Sequence, residues 1–261
     1  MKMAQKRIVL TGASAGIGKA LLDLLVQRDV QVVAADLLPE KIREVPGKVF
    51  PLRCDVSAQS EVDALFDTAL EKLGHIDIFI ANAGFAYYEK LEQEDWEHIH
   101  KIVSTNLISP IYSIEKMRRL NRNREYLVVV NASAMAKLAM PGYALYSATK
   151  AALDSFAAAY RLEQDDRGKL ILVYPIATST GFFKHAGTDI PVAWPVQSAA
   201  CVAQSILKGI EKETPSIYPS KIFEGILLLQ RFNPLVPYLY TKVEQARFKR
   251  WSRANPGKTT R

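Results

Sequence analysis

The sequence predicts an α/β fold: a doubly wound parallel sheet in a single domain, followed by a helical, basic C-terminal extension. Three observations support this fold class. Short apolar runs without polar alternation recur along the chain, segments with helical periodicity separate them, and a glycine-rich turn directly follows the first run. The chain has 261 residues, 49% of them hydrophobic and 23% charged, which is typical of a globular protein that buries a large core.

The predicted strands are six runs rich in β-branched residues, and they lack polar alternation as expected for strands buried on both faces. They are residues 7–11, 30–35, 49–53, 76–81, 126–131 and 170–174. The predicted helices of the body alternate with them and are residues 17–28, 59–73, 95–120, 144–165 and 195–213. Because crossovers between parallel strands are right-handed, this alternation predicts helices on both faces of one sheet.

Residues 221–261 differ from the rest of the chain in charge. They hold nine of the 34 Lys and Arg residues and two of the 27 Asp and Glu residues, so their net charge is +7. The remaining 25 basic and 25 acidic residues, in the body of residues 1–220, cancel. We therefore expect a neutral body with a basic extension that is not an independent domain, and no broad basic face for nucleic acid.

The extension combines an apolar helix candidate, residues 222–229, with residues 238–251, where aromatic and basic side chains mix. Two interpretations stay open. In one, this amphipathic segment lies in the interface of an anionic bilayer. In the other, it docks on its own body, covers the substrate cleft or forms a dimer contact.

Cysteine usage and the N-terminus favour a cytoplasmic location. Cys54 and Cys201 are the two cysteines, which argues against a disulfide framework, and no Cys/His set has metal-ligand spacing, so no metal is expected. The basic residues 1–7 precede a short apolar run and a glycine turn rather than the apolar segment of a signal peptide. No run of about 18 apolar residues predicts a membrane span.

The turn after the first predicted strand has the composition of a phosphate-binding loop. Residues 11–18 read Thr-Gly-Ala-Ser-Ala-Gly-Ile-Gly and open a helix. Glycines there let the backbone approach a pyrophosphate at the positive end of the helix. The alternative is a glycine turn with no ligand, but its place between a strand and a helix favours nucleotide binding.

Asp36 ends the second predicted strand, 18 residues beyond Gly18. An acidic side chain there accepts hydrogen bonds from ribose hydroxyls and repels a 2′-phosphate. The next two residues, Leu37 and Leu38, supply no cation. We therefore expect NAD(H) in preference to NADP(H). The alternative is that Asp36 only caps a helix around residues 39–44.

Ser133, Tyr146 and Lys150 have the chemistry of a general acid/base. Ser133 follows a strand end, and Tyr146 and Lys150 share one helix face at i and i+4. A positive neighbour favours phenolate, so we expect Lys150 to lower the pKa of Tyr146 from its usual value near 10. Tyr238 and Lys242 have the same spacing, but they lie in the basic extension with no strand-end serine before them.

With these motifs in this order, the chain resembles the classical short-chain dehydrogenase/reductase family over about residues 7–219. The resemblance implies a Rossmann fold, with residues 1–220 as the catalytic domain, and adds Asp55-Val56 as an adenine contact, Asn82-Ala83-Gly84 after the fourth strand and Asn106 as anchor of a proton-relay water. The family usually has Pro-Gly-x-Val-x-Thr after the sixth strand, whereas this chain has Ile176 at the glycine position.

The resemblance implies catalytic roles for Asn106, Ser133, Tyr146 and Lys150. The residues implied to bind the cofactor are Gly12, Ser14, Ala15, Gly16, Ile17, Gly18, Asp36, Asp55, Val56, Asn82, Ala83, Gly84, Tyr146, Lys150, Pro175, Thr178 and Thr180. The activity implied is hydride transfer between a nicotinamide cofactor, NAD(H) favoured, and a carbonyl or secondary alcohol. A homodimer or homotetramer is expected by the same analogy.

Three predicted loops around the nicotinamide, residues 85–88, 135–143 and 181–194, are mainly aromatic and apolar. They favour an apolar or lipid-like substrate, or else they simply form a lid, in which His185 is a surface residue. The rival from another functional class is a nucleotide sensor or scaffold that does not turn over, but Ser133, Tyr146 and Lys150 are all present. The longer related epimerases and dehydratases need a substrate domain for which 261 residues leave little room.

Overall fold

The computed structural model describes residues 1–164, 167–182, 186, 190–191, 193–230, 232–233 and 235–255, without the side chains of residues 236 and 237. At its centre lies a seven-stranded parallel sheet, whose strands are β1 (Lys6–Thr11), β2 (Val30–Asp36), β3 (Val49–Arg53), β4 (Ile78–Ala81), β5 (Tyr126–Asn131), β6 (Gly168–Val173) and β9 (Ser216–Ile217). They lie side by side in the order β3-β2-β1-β4-β5-β6-β9. The predicted fold class is confirmed.

Helices cover both faces of this sheet. They are α1 (Gly16–Val26), α2 (Gln59–Leu73), α3 (Trp96–Val103), α4 (Ser109–Leu120), α5 (Ala144–Glu163), α6 (Ala199–Lys212), α7 (Lys221–Leu229) and α8 (Leu235–Ala254). Alternate side chains of each strand pack against opposite layers: Ile8 joins Leu21 of α1 and Ile206 of α6, whereas Val9 joins Phe66 of α2.

Three features of the fold were not predicted, two among the strands and one among the helices. The seventh strand, β9, pairs with β6 through Leu172 and Ser216, and a separate pair is formed by β7 (Thr178–Ser179) and β8 (Gln197–Ser198). Each of these strands has two residues, too few to show any periodicity. The predicted helix over 95–120 is interrupted by a π-helical turn over residues 104–108, between α3 and α4.

The extension forms two helices, α7 and α8, that contact each other. Trp251 of α8 is buried in an aromatic cluster with Tyr88, Tyr143 and Tyr146 of the body. The extension therefore docks on its own body along one face of α8. Within the described ranges, none of the helices combines the length and the apolar character that a bilayer crossing needs.

The order of the strands places the site. The chain runs outward from β1 to β2 and β3, then returns to β4 on the other side of β1. The loops after β1 and β4 consequently diverge at the carboxyl edge of the sheet, where α/β proteins bind nucleotides.

Candidate active site

Three glycines shape the turn between β1 and α1. Gly12 and Gly16 have φ angles of 67° and 55°, which side chains rarely adopt. A Cβ on Gly18 would lie 1.9 Å from the carbonyl oxygen of Gly12, and one on Gly16 would lie 3.2 Å from Cγ2 of Thr180. The backbone thus passes closer to its neighbours than a side chain permits, as a pyrophosphate cradle requires.

The N-terminus of α1 also suits an anion. Its N-cap residue, Ala15, supplies no side-chain hydrogen bond, and the first turn carries no acidic residue. The leading backbone N–H groups, which begin at Gly16 and Ile17, are therefore left for a ligand and lie at the positive end of the helix dipole. The turn fits the pyrophosphate of a dinucleotide.

Asp36 lies beside this turn at the end of β2. Its Oδ2 accepts a hydrogen bond from the backbone N–H of Ser14 at 2.9 Å, and its Oδ1 accepts one from Leu38 at 3.1 Å. The second bond is local, to the residue two positions along the chain. The 3-10 turn over residues 39–41 has Leu38 as its N-cap residue and no side-chain cap, so Asp36 does not cap it as the alternative supposed. The first bond brings the carboxylate to the glycine turn. Its contact with a ribose stays a prediction.

The segment after β3 is held by local hydrogen bonds. Asp55 Oδ1 accepts bonds from the backbone N–H and the hydroxyl of Ser57, at 2.9 and 2.7 Å. Partial burial opposes ionisation, but these bonds keep the pKa of the Asp55 carboxyl below its ordinary value. Val56 and Ala83 line one small pocket together with Thr11, so the ends of β1, β3 and β4 meet there.

A polar network ties the loops after β1, β4 and β5 together. The Thr11 hydroxyl accepts bonds from the backbone N–H groups of Asn82 and Ala83, both at 3.1 Å. Asn82 Nδ2 donates to the carbonyls of Thr11 and Gly12, and its Oδ1 accepts from Asn131 Nδ2 at 3.0 Å. The sequence singled out Asn82 and Ala83 but not this use of Thr11 and Asn131, whose polar side chains at strand ends were the available signal.

Ser133, Tyr146 and Lys150 come together below the end of β5. The Ser133 hydroxyl lies near enough to the Tyr146 phenol to affect its pKa, and Lys150 Nζ lies 5.6 Å from the centre of the Tyr146 ring. The Nζ atom donates to the carbonyl oxygen of Asn131 at 2.8 Å. All three side chains are buried, with 7%, 8% and 4% exposed, respectively. The structure thus brings the predicted acid/base group into one contact set.

Burial dominates the electrostatics of this set. It raises the pKa of Tyr146 to about 12, with the neighbouring Ser133 hydroxyl acting against it, and it lowers the pKa of Lys150 to about 7. The expected direction for Tyr146 is therefore wrong, because loss of water disfavours the charged form of both groups. At neutral pH, Tyr146 is a protonated phenol that is able to donate.

Asn106 lies fully buried in the π-helical turn. Its Oδ1 accepts from the backbone N–H of Phe85 at 3.1 Å, and its Nδ2 donates to the Phe85 carbonyl at 2.8 Å and the Thr149 hydroxyl at 3.4 Å. A Cβ on Gly84 would lie 3.0 Å from Asn106 Oδ1 and 3.6 Å from Lys150 Nζ. Asn106 therefore fixes the loop after β4 next to Lys150. Its part in a proton relay stays a prediction.

The loop after β6 lies next to Ser133 and next to the glycine turn. The Pro175 carbonyl accepts from the Ala134 backbone N–H at 2.8 Å, beside Ser133, and the Thr178 hydroxyl donates to the Ile176 carbonyl at 2.8 Å. The Thr180 hydroxyl accepts from the backbone N–H of Phe182 at 3.2 Å. Thr180 thus faces Gly16 even though Ile176 replaces the family's glycine. Nicotinamide contacts for these residues stay predictions.

Aromatic rings lie around Tyr146. The Phe182 and Tyr143 rings lie 5.6 and 6.3 Å from it, and Tyr88 lies 4.9 Å from Tyr143. Trp251 of the extension completes the wall, 4.6 Å from Tyr88. The sequence did not assign Trp251 to the site, because nothing local to α8 indicates a contact more than 100 residues away. Phe183, Lys184, His185 and Asp189 of the third predicted loop lie outside the described residues.

Comparison with known proteins relates this site to one family. The family model described as short chain dehydrogenase matches residues 6–190. A Staphylococcus saprophyticus protein named as an uncharacterized oxidoreductase is 29% identical over 192 residues, 69% of this chain and 77% of that protein. A fatty acyl-CoA reductase of Mycobacterium tuberculosis is 30% identical over 187 residues, 67% of this chain and 64% of that protein.

Two solved structures share the fold. A short-chain dehydrogenase/reductase from Burkholderia phymatum in complex with NAD superposes with a TM-score of 0.79 and 19% identity, covering 90% of this chain and 96% of that one. A short-chain dehydrogenase from Burkholderia cenocepacia in complex with NADP gives a TM-score of 0.78 at 22% identity, covering 90% and 97%.

Proposed function

The chain belongs to the short-chain dehydrogenase/reductase family and is a CH–OH/C=O oxidoreductase that uses NAD or NADP; from this premise we propose that it prefers NAD(H), acts on an apolar carbonyl or secondary alcohol, and uses Tyr146 as its general acid/base. The observation that carries the proposal is the buried contact set of Ser133, Tyr146 and Lys150 at the edge of an aromatic wall.

Each of these side chains has a separate task. When bound on the glycine turn, the nicotinamide cofactor supplies or accepts the hydride at the substrate carbon. Ser133 donates a hydrogen bond to the substrate oxygen, and Tyr146 gives that oxygen its proton in reduction or takes it back in oxidation. Because burial keeps the pKa of Tyr146 at about 12, the phenol holds its proton at neutral pH. Lys150, anchored on the Asn131 carbonyl, stabilises the phenolate left behind whenever it is itself protonated.

The preference for NAD(H) rests on Asp36. Its carboxylate reaches the Ser14 backbone N–H, so a 2′-phosphate beside this turn meets a negative charge. The next residues, Leu37 and Leu38, are exposed and offer no counter-charge. Because the two solved structures hold NAD in one case and NADP in the other, the preference is argued from Asp36 alone.

An apolar substrate is supported by the wall around Tyr146, in which Phe182, Tyr88 and Trp251 present rings. The Tyr143 hydroxyl is the polar exception: it is buried, and in the described part of the chain it has no hydrogen-bond partner. We assign it a second contact with a polar atom of the substrate. The likeness to a fatty acyl-CoA reductase fits an acyl chain of this kind.

The experiment that tests the proposal follows NADH oxidation with aliphatic aldehydes and ketones of increasing chain length, with NADPH in parallel. We expect efficiency to rise with chain length and NADH to be preferred. Tyr146→Phe should lower turnover by about 100- to 10,000-fold and leave NADH binding intact, since it removes only the proton donor.

The matched control is Tyr238→Phe, which makes the same change at another Tyr-x-x-x-Lys spacing, outside the site. It should turn over like the parent protein. Activity with NADPH alone would contradict the role of Asp36, and persistent turnover of Tyr146→Phe would contradict the role of Tyr146.

A further inference from the structure

The last helix, α8, presents one face to the body. Tyr240, Glu244, Phe248 and Trp251 follow one another at spacings of three or four residues, so they form one stripe. Phe248 and Trp251 lie against Tyr88, with ring centres 5.8 and 4.6 Å away. The orientation of α8 on the body is thereby fixed, and its opposite face is directed outward.

The outward surface of the extension is apolar around the connection between α7 and α8. Its large side chains are each more than half exposed: Ile222, Leu228, Leu229, Phe232, Leu235, Leu239 and Val243. Phe232, at 88%, is almost as exposed as in an extended chain. A cluster of this size on two neighbouring helices marks an interaction surface.

The C-terminal half of the same helix is basic. Lys249, Arg250 and Arg253 are exposed there, as is Lys242 just before the middle of the helix, whereas Glu244, the acidic residue of α8, is turned inward and buried. An apolar end and a basic end therefore adjoin along one surface. This combination is typical of helices that lie in a membrane interface, with apolar side chains among the acyl chains and cations on the phosphates.

We propose that the outer surface of α7 and α8 docks on an anionic lipid bilayer, and that the inner face of α8, with Trp251, simultaneously closes the substrate site. The basic residues of α8 favour an anionic bilayer over a second copy of the chain as the partner, because two copies would bring the same basic surfaces together. The docking itself does not depend on turnover; its link to substrate supply rests on the proposed function, since a lipid-like carbonyl compound is held in the bilayer that the helix contacts.

The test is flotation of the full chain, without substrate, with vesicles of phosphatidylcholine alone or mixed with phosphatidylglycerol. We expect partition into the mixed vesicles only, weakened by salt because counter-ions screen the basic end. The combined variant Lys249→Glu, Arg250→Glu, Arg253→Glu should reduce this partition by about a hundredfold or more, as should the combined variant Leu228→Ser, Leu229→Ser, Phe232→Ser.

Two control variants make the same kinds of substitution elsewhere on the surface. Lys41→Glu, Arg43→Glu and Lys48→Glu reverse three exposed charges next to β3, at the opposite edge of the sheet from β9. Leu91→Ser, Trp96→Ser and Ile99→Ser remove three exposed apolar side chains near α3. Both controls should float like the parent protein, and all four variants should keep its circular dichroism and thermal unfolding temperature.

Failure of the parent chain to float with phosphatidylglycerol vesicles would overturn the proposal, and so would equal losses in the surface variants and their controls. A fall in molar mass by light scattering in the Leu228, Leu229 and Phe232 variant would overturn it too, since the surface would then join copies of the chain. The proposed oxidoreductase function is judged separately, by NADH oxidation with soluble short-chain carbonyl compounds in the absence of vesicles.

Discussion

At the scale of single residues, burial strongly changes the ionisation of Lys150. With 4% of its side chain exposed and one hydrogen bond, to the Asn131 carbonyl, its charged form has lost most of its hydration. Burial accordingly lowers its pKa from 10.5 to about 7. The folded protein and the unfolded chain therefore bind different numbers of protons over a wide pH range.

This difference predicts the pH dependence of stability. Between pH 7 and pH 10 the unfolded chain keeps a proton on Lys150 that the folded protein has released, so raising the pH stabilises the fold. The free energy of unfolding should rise by at most about 1.4 kcal/mol per pH unit in this range. Tyr146 affects stability only above its ordinary pKa of 10.0. There the folded protein keeps a phenol proton that the unfolded chain releases, so a further rise in pH destabilises the fold. Urea unfolding of the parent protein and of Lys150→Met across this range measures the effect.

As the pH rises from 7 toward 10, the free energy of unfolding of the parent protein should increase relative to that of Lys150→Met. Lys72→Met, at an exposed lysine paired with Glu71 on the surface, is the control and should show no such trend. A pH-independent difference for Lys150→Met would mean that Lys150 stays charged in the folded protein.

The sequence was sufficient for the residues whose partners are set by strand and helix ends. Ser133 follows a central strand and Tyr146 opens the next helix, so the fold alone brings them together. It was not sufficient for the pKa of Tyr146, because that depends on how completely the surroundings exclude water. Nor did it indicate that Asn106 bonds to Phe85 and Thr149, since hydrogen bonds across 21 and 43 residues follow from packing.

At the scale of elements, the β1–α1 unit shows why glycine is required in one helix and tolerated in another. Gly18 lies in the first turn of α1, where a Cβ would meet the Gly12 carbonyl oxygen at 1.9 Å. Gly225 lies in α7, where a Cβ would meet nothing within 4 Å. Both are helical glycines, so intrinsic propensity favours alanine at each by a similar amount.

Gly18→Ala and Gly225→Ala should consequently have opposite effects. Gly18→Ala forces the glycine turn outward, and we expect a loss of roughly 1–3 kcal/mol in stability together with a large loss of NADH affinity. Gly225→Ala should gain roughly 0.5–1 kcal/mol and bind NADH normally. Thermal unfolding and fluorescence titration with NADH measure both quantities. Normal NADH affinity in Gly18→Ala would show that the cofactor does not use this turn.

Long elements were predictable and short ones were not, for a physical reason. The α2 helix spans the predicted residues 59–73, because its 15 residues give four turns of periodicity for an apolar stripe. The two-residue strand β9 is defined only by its bonds to β6, and the π-helical turn over residues 104–108 only by a change in hydrogen-bond partners. Neither leaves a pattern in the sequence.

At the scale of the whole molecule, the extension packs against the aromatic cluster that surrounds Tyr146. Trp251 is 7% exposed, and its ring contacts Tyr88 of the loop after β4, in the cluster that contains Tyr146. The basic extension therefore belongs to the aromatic cluster around Tyr146. Its contacts with the body include these rings and a 3.2 Å hydrogen bond from the Tyr240 hydroxyl to the Trp194 carbonyl, and neither contact joins two charges. On the proposed function, the effect of the extension on activity should depend on the apolar length of the substrate rather than on charge.

Trp251→Ala tests this coupling between the last helix and the site. Removing the ring opens the far end of the wall, so kcat/KM for long aliphatic aldehydes should fall about tenfold, whereas that for the shortest should change little; the loss reflects about 1–3 kcal/mol of apolar contact. Trp96→Ala, at a tryptophan that is 78% exposed at the start of α3, is the matched control and should leave the chain-length profile unchanged. Steady-state kinetics over the series supplies the measurement. If the ratio of kcat/KM for long aldehydes to kcat/KM for short ones were unchanged in Trp251→Ala, the substrate would bind elsewhere and the aromatic cluster would have a purely structural role.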